Sequence, residues 1–250
     1  MFKRILNIIL WFIAISMIGV SLGFSVNESR KLVCQDVKVD ITDSANVRFL
    51  KFNDIESWVK NYHREIFGRQ LNSLNIRIIE EGLQKLQASE DVSVYTNVFN
   101  NGEKNIGALV VRIKQREPVF RVMGAGRTFY VDKFGKYINW SPHFTPRVMI
   151  VGGIFSSDYA YKRLLPLVSF INEDRFWSAQ IDQIFVNGNG EISMIPRVGD
   201  QVILFGFPED FRIKFRNLKA LYTEGFKSGG WERYTTINAK FLNQIVCTKK

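Results

Sequence analysis

The stretch ILNIILWFIAISMIGVSLGF, residues 5–24, divides the chain into a very short first segment and a long second one. It carries no charged side chain, and no other part of the sequence is apolar over a comparable length. A helix of about 20 residues rises about 30 Å, which is the hydrocarbon thickness of a bilayer. The stretch therefore predicts a single transmembrane helix, with everything after Ser25 on one side of the membrane.

The flanks of this stretch predict its orientation. Lys3 and Arg4 precede it, and basic residues close to a span tend to stay in the cytoplasm. The alternative interpretation is a cleaved signal peptide, which ends in small residues at A-x-A spacing. The segment Val20–Phe24 lacks that spacing, so the sequence favours an uncleaved anchor with an exported C-terminal part.

Composition narrows the classes of partner. The formal net charge is +10, and 46% of the residues are hydrophobic, which is typical of a folded protein. The basic residues are scattered without an arginine-rich block, and an exported domain rarely meets nucleic acid, so no nucleic-acid partner is predicted. Anionic lipid headgroups and anionic cell-wall polymers remain two alternatives for the basic surface.

The cysteines and histidines predict no metal site. Cys34 and Cys247 lie far apart in the sequence, and they either pair in an oxidising compartment or remain two separate thiols. His63 and His143 are the only histidines, and neither has a ligand partner at zinc-binding spacing.

The first half of the exported part has the pattern of a small α+β domain. Residues 33–41 alternate as in a half-buried strand, and helices are predicted to begin near Ile55 and Asn75. Strands are predicted at 92–99 and 107–115. The order strand, helix, helix, strand, strand places two helices on one face of a three-stranded sheet.

The second half reads as short strands joined by glycine turns, with helices between some of them. Hairpins and a meander predict an antiparallel sheet with helices on one face. The elements predicted here are strands at 128–131, 137–140, 148–151, 181–186, 191–195, 201–205 and 234–247, and helices at 159–171 and 209–226.

The last of these strands is the candidate binding element. Its alternation places Phe241 on the apolar face and Lys240 on the opposite face. A strand near the end of the chain is expected at a sheet edge, where unpaired backbone groups can accept a partner's strand. Two interpretations of Phe241 stay open, a partner contact and an ordinary core residue.

No stretch of the sequence predicts a reaction centre. Gly124-Ala125-Gly126 begins like a dinucleotide-binding loop, but the third glycine would fall at Phe129. Neither Ser-x-x-Lys nor Gly-x-Ser-x-Gly occurs, and the acidic pairs lie on predicted surfaces. We therefore predict no catalytic residue, no cofactor and no small-molecule substrate.

Several segments resemble one protein family. Arg112-Ile113-Lys114-Gln115-Arg116-Glu117-Pro118-Val119 resembles the Glu-x-Pro-Val exit of the POTRA domain in the bacterial cell-division proteins FtsQ and DivIB. The run from Asp174-Arg175-Phe176-Trp177 to Phe205-Gly206, and the ending at 234–247, look like FtsQ proteins of the Bacteroidetes type. The resemblance covers essentially the whole chain, although the first segment is shorter than in many relatives.

The resemblance implies a domain layout. It comprises a cytoplasmic tail at 1–4, a transmembrane helix at 5–24, a POTRA domain at 33–117 and a C-terminal β domain at 118–250. The expected fold is thus α+β behind a single N-terminal transmembrane helix.

The resemblance also implies a function, that of a non-catalytic divisome scaffold in the inner membrane. Its periplasmic domains would recruit partners at the septum and couple them to peptidoglycan synthesis. In this family the last strand binds the FtsB component of an FtsB–FtsL pair, a role that falls here on Lys240, Phe241 and Asn243. The POTRA domain is expected to contact an FtsK-type protein. The alternatives are a POTRA-containing transport or outer-membrane assembly factor, which should carry repeated POTRA units, and an anchored cell-wall-binding protein.

Overall fold

Two hydrophobic cores organise the chain, and each belongs to a separate unit. The structure, a computed structural model, describes residues 11–21, 32–42, 46–100, 102, 104–124, 126–226 and 230–250. The first unit spans Met1–Gln115 and the second spans Arg116–Lys250.

Residues 11–21 form helix α1. The remainder of the predicted transmembrane stretch, 5–10 and 22–24, lies outside the described residues. Within the described part of the chain, no helix has both the length and the apolarity that crossing a membrane requires.

The first unit confirms the predicted order of strand, helix, helix, strand and strand. Its elements are β1 (Cys34–Thr42), α2 (Phe52–Tyr62), α3 (Ile76–Gln84), β2 (Ser89–Asn100) and β3 (Asn105–Gln115). Strand β3 is central, with β1 parallel on one side and β2 antiparallel on the other.

The helices of this unit bury the side chains that their periodicity indicates. Ile55 and Val59 of α2, and Ile79 and Leu83 of α3, pack against the sheet. Their spacing of four residues puts each pair on one helix face, so burial of that face fixes both helices on the sheet.

The second unit contains one nine-stranded sheet. Its strand order is β12-β11-β10-β9-β8-β7-β4-β5-β6. The strands are β4 (Pro118–Gly124), β5 (Arg127–Asp132), β6 (Tyr137–Asn139), β7 (Met149–Gly153), β8 (Ile181–Val186), β9 (Ile192–Pro196), β10 (Val202–Gly206), β11 (Tyr234–Asn238) and β12 (Val246–Lys249).

The sheet is mixed, so the prediction of an antiparallel sheet is wrong at three strand pairs. β4 and β7, β7 and β8, and β10 and β11 are parallel. Parallel neighbours need a long crossover connection, and helices supply it between β7 and β8 and between β10 and β11. The α+β class itself is confirmed.

The crossover helices cover one face of the sheet. They are α4 (Ser157–Tyr159), a π-helical turn (Ala160–Leu164), α5 (Leu165–Glu173), α6 (Arg175–Gln180), α7 (Phe211–Ala220) and a second π-helical turn (Leu221–Gly225). The helix predicted at 159–171 is therefore divided. Pro166 lies in the first turn of α5, directly after the π-helical turn. Trp177 and Phe215 lie at the centre of the core, with ring centroids 4.7 Å apart.

The single strand predicted at 234–247 is also wrong, because the chain turns after Asn238. The Asn238 side chain accepts a hydrogen bond from the Lys240 N–H (3.1 Å), and the Leu242 carbonyl accepts one from the Asn217 side chain (2.7 Å). Residues 240–245 leave the sheet before β12 returns antiparallel to β11. Phe241 consequently lies in the turn and is 50% exposed, so the interpretation of Phe241 as a core residue is wrong as well.

Candidate functional site

The outer side of β12 is an open edge of the nine-stranded sheet. Strand β12 pairs with β11 on one side, and it is the last strand in the sheet order. An edge strand of this kind presents backbone donors and acceptors to a second chain. The edge predicted from sequence therefore exists, but it belongs to residues 246–249.

Hydrogen bonding indicates which amides of β12 face outward. The Lys250 N–H donates to the Arg233 carbonyl (3.0 Å), so it faces β11. Since backbone groups alternate along a strand, the N–H groups of Thr248 and Val246 also face β11. Those of Cys247 and Lys249 face away from the sheet, where a partner's strand would meet them.

The turn at residues 239–245 connects β11 to this edge. The Ala239 N–H donates to the Leu204 carbonyl (2.9 Å), which holds the start of the turn beside β10. All three residues predicted for partner binding lie in this turn: Lys240, Phe241 and Asn243. Thus the structure places them together, at the end of β12 rather than within a strand.

Lys240 is paired with a group from another hairpin. Its Nζ lies 2.8 Å from both carboxylate oxygens of Glu191, which follows the turn between β8 and β9. The Lys240 ammonium is the largest cause that lowers the pKa of the Glu191 carboxyl. The Lys240 charge is therefore already engaged, and its role inside the molecule is to fix the turn.

The turn also borders a groove of about 450 Å³ beside α7. Arg216 and Asn217 line the helix side, and Leu242 and Asn243 line the turn side. Phe241 and Leu242 are both exposed. A partner strand added to β12 would end beside these apolar side chains.

Lys214, on helix α7, contacts the end of strand β10. Its side chain is buried, and its Nζ donates to the carbonyls of Phe205 (3.1 Å) and Phe207 (2.7 Å). Burial lowers the pKa of the Lys214 ammonium, and the nearby carboxylates of Glu209, Asp210 and Glu191 oppose that shift. Lys214 thus ties α7 to the end of β10.

Sequence reasoning identified neither Glu191 nor Lys214. Glu191 lies 49 residues from Lys240 in the sequence, so only the assembled sheet brings them together. Lys214 reads as an ordinary surface cation of an amphipathic helix, and no local signal indicates its burial.

On the edge strands of the first unit, other groups of the same unit accept hydrogen bonds from backbone N–H groups. On β1, the Cys34 N–H donates to the Arg69 carbonyl, and the Asp36 side chain accepts the Val37 N–H. On β2, the Glu80 side chain accepts the Val94 N–H at 3.0 Å. Such caps satisfy edge donors that a partner's strand would otherwise use. Strand β12 is therefore better suited to strand addition than β1 or β2.

The described residues offer neither a metal cluster nor a disulfide. No group of three or more His, Cys, Asp or Glu side chains in this part of the chain could hold a metal ion. Cys34 and Cys247 are free thiols, and burial raises the pKa of both.

Comparison with protein families assigns both units. A POTRA-like domain model matches residues 32–102, within the unit that has two helices on a three-stranded sheet. A second model, FtsQ/DivIB, C-terminal related, matches residues 117–248, which include the nine-stranded sheet and its open edge. No curated protein matches the chain. Because the second model covers more than half of the 250 residues, the chain belongs to the FtsQ/DivIB family, whose members are non-catalytic scaffolds of bacterial cell division.

Proposed function

We propose that this protein is a bitopic inner-membrane scaffold of the divisome that recruits FtsB- and FtsL-type partners. Residues 5–24 anchor it at the division septum, with the N-terminus in the cytoplasm and the C-terminus in the periplasm. Residues 33–117 act as the POTRA domain and residues 118–250 as the β domain. By gathering its partners, the scaffold couples them to septal peptidoglycan synthesis.

The open edge of β12 carries the partner-binding part of this proposal. Its outward amides, at Cys247 and Lys249, provide a template for an FtsB-type strand. The turn residues Lys240, Phe241 and Asn243 lie at one end of that template. Phe241 is exposed and supplies an apolar contact, while Lys240 holds the turn through Glu191.

The POTRA domain has a separate role in the proposal. Its sheet edges carry side-chain caps, so we place its contact with an FtsK-type protein on side-chain surfaces. That contact would leave the β12 edge free for the FtsB-type partner.

Depletion of the protein in its own cells tests the scaffold role. We expect filaments with unsplit septa, because partners no longer collect at the division site. Loss of outer-membrane proteins instead would indicate a transport or assembly factor. Altered glycan products in an assay of the purified protein would indicate a cell-wall enzyme.

Co-purification of the FtsB-type partner tests the site. Phe241→Ala should weaken recovery of the partner from solubilised membranes while the circular dichroism spectrum stays unchanged. Phe134→Ala is the matched control, since Phe134 is similarly exposed but lies in the β5–β6 turn. Equal recovery with both variants would remove Phe241 from the site.

A further inference from the structure

The face of the nine-stranded sheet opposite the helices carries an unusual set of side chains. Residues on either side of a helix-facing core residue must point to the other face, because strand side chains alternate. Ile184 and Met194 are core residues. Phe185 follows Ile184 and Ile195 follows Met194 in the sequence. By the same rule Val202 and Leu204 flank Ile203, so all four belong to the helix-free face.

Strand register joins these side chains into rows that run across the sheet. In the first row Val246 and Leu204 both pair with Asn238, and Leu204 also pairs with Ser193. The row continues through Phe185, which pairs with Ser193 on one side and Gly152 on the other, to Met123. Apolar side chains thus alternate with small or polar ones from β12 to β4.

A second row lies two residues along the strands. Ile195 pairs with Gln183, Gln183 with Ile150, and Ile150 with Arg121. Val202 lies beside Ile195 in the same row, since its neighbour Ile203 pairs with Met194. Together the two rows form a patch that we call the open face.

The exposure of the open face is high for side chains of this size. Met123, Phe185, Ile195, Val202 and Val246 are between 36% and 50% exposed. A solvated sheet face normally presents polar side chains, and a contiguous exposed apolar patch marks an interaction site. The described residues of these rows include no carboxylate, and Arg121 is their one charged side chain.

Arg121 lies where the open face meets a basic cavity. Its Nε is shielded from solvent and has no hydrogen-bond partner, while its guanidinium carbon lies 5.8 Å from the centre of the Tyr130 ring. The cavity has a volume of about 820 Å³, and its charged lining combines Arg121, Lys133, Arg147 and Arg197 with the carboxylates of Glu173 and Asp182, which leaves an excess of positive charge. Of these, Arg197 is paired with Asp182 at 2.9 Å. A carboxylate entering the cavity would satisfy Arg121.

We propose that the open face binds an acidic amphipathic segment of a partner protein. Its apolar side chains would cover the rows around Phe185 and Ile195, and a carboxylate would enter the cavity at Arg121. This surface is separate from the backbone edge of β12, although the first row ends on that strand at Val246.

Charge favours this occupant over two others. A second copy of the chain would bring together two molecules of net charge +10, each with a basic cavity, and like charges oppose that contact. An anionic membrane surface attracts clusters of several lysines or arginines, whereas the rows themselves carry Arg121 alone. Membrane contact would also desolvate Ser193, Gln183 and Asn238 without offering fixed hydrogen-bond partners.

The width of the open face indicates how long the partner's segment should be. From β12 to β4 the rows cross seven strands, or about 29 Å at about 4.8 Å per strand interval. A helix of about 20 residues has that length.

Binding of a designed peptide to the full chain in phosphatidylcholine nanodiscs tests the proposal. The probe is an amphipathic helical peptide of about 20 residues, with leucine on one face and glutamate on the other, followed by fluorescence anisotropy. A peptide with lysine in place of glutamate is the charge control. We expect the glutamate peptide to bind at least tenfold more tightly than the lysine peptide.

Variants separate specific binding from general attraction to a basic protein. Phe185→Ser and Ile195→Ser should each weaken binding of the glutamate peptide at least fivefold, and Arg121→Gln should reduce its advantage over the lysine peptide. Phe134→Ser, which removes an equally exposed phenylalanine elsewhere, should leave binding unchanged. Equal effects of Phe185→Ser and Phe134→Ser would overturn the proposal.

Two further results would assign the open face to a different occupant and overturn the proposal. One is a dimer of the wild-type chain in analytical ultracentrifugation that Phe185→Ser dissociates. The other is binding of phosphatidylglycerol vesicles that Phe185→Ser abolishes. In contrast, normal FtsB-type binding by Phe185→Ser would support an open face that is independent of the β12 edge.

Discussion

At the scale of single residues, two lysines have different structural roles in the region proposed to bind the partner. Lys240 is partly exposed and pairs with Glu191, so it fixes the turn before β12. Lys214 is buried and donates to two backbone carbonyls at the end of β10. Glu191 cannot be predicted as the partner of Lys240, because the two residues meet only once distant strands have been assembled. The carbonyls that bind Lys214 are seven and nine residues away, but no side-chain pattern marks them.

A charge exchange tests the role of Lys240. Lys240→Glu should weaken binding of the FtsB-type partner, because two carboxylates then face each other and the turn is displaced. If the pair acts inside the molecule, Lys240→Glu combined with Glu191→Lys should restore binding to within about twofold of wild type, which is about 0.4 kcal/mol. A double variant that binds as poorly as the single one would show that Lys240 contacts the partner directly.

The contribution of the Lys240–Glu191 pair to stability depends on pH. Glu191 has a lowered pKa, so its contribution to stability is present above its unfolded pKa and is lost as the pH falls through the lowered value. Lys240→Met should raise the Glu191 pKa toward its ordinary value, as measured by NMR titration of the carboxyl. An unchanged Glu191 pKa would contradict the ion pair.

The effect of Lys214 on stability appears in the alkaline range rather than in the acidic range. Its pKa is lowered by burial, so the folded state holds fewer protons than the unfolded state in the alkaline range below 10.5. The free energy of unfolding should therefore rise with pH across that range. Lys214→Met should abolish the rise and, at neutral pH, cost about 1–3 kcal/mol, because two carbonyls lose their donor. Urea denaturation checks both effects, with Lys219→Met, an exposed lysine of the same helix, as a control that should change little.

At the scale of elements, local patterns predicted most helices and strands but not how the strands pair. Alternation and turn residues identified the β5–β6 and β8–β9 hairpins, since those signals are contained in a few neighbouring residues. Strand β4 (Pro118–Gly124), which pairs antiparallel with β5, was not predicted. The parallel pairs were missed, because they depend on where the crossover helices return the chain. Alternation also continued past Asn238 into the turn, where it no longer reflected a strand.

The cap of α6 illustrates a local signal with a structural role. Asp174 accepts hydrogen bonds from the N–H groups of Phe176 (2.8 Å) and Trp177 (3.1 Å), and so directs Trp177 into the core. Asp174→Ala should lower the free energy of unfolding by about 1 kcal/mol. Asp174→Asn should lower it much less, because asparagine also caps a helix N-terminus. Denaturation of both variants checks this, and equal losses would contradict a capping role.

Proline substitution tests the open edge of β12. Lys249→Pro removes an outward N–H and should weaken partner binding about tenfold while the fold persists, because proline is tolerated where an edge strand faces solvent. Thr248→Pro removes an N–H that faces β11, and should instead lower the melting temperature. Partner affinity and thermal unfolding, measured on both variants, distinguish the two sides. Wild-type affinity with Lys249→Pro would mean that the partner does not use this edge.

At the scale of the whole molecule, the two units present contrasting edges. In the first unit, side chains cap edge donors of β1 and β2. The second unit leaves β12 open at one end of its sheet and exposes apolar side chains on its helix-free face. The resemblance to the FtsQ/DivIB family could be recognised from sequence, because its motifs recur in order along the chain. The open face could not, because its rows combine single residues from many strands.

Residue-resolved amide hydrogen exchange of the full chain, with and without its FtsB-type partner, tests the central claim most directly. If the partner adds a strand to β12, the amides of Cys247 and Lys249 should exchange at least tenfold more slowly in the complex, while those of Val246 and Thr248, already bonded to β11, should change less. Full binding of the partner with no added protection at Cys247 and Lys249 would contradict strand addition at this edge.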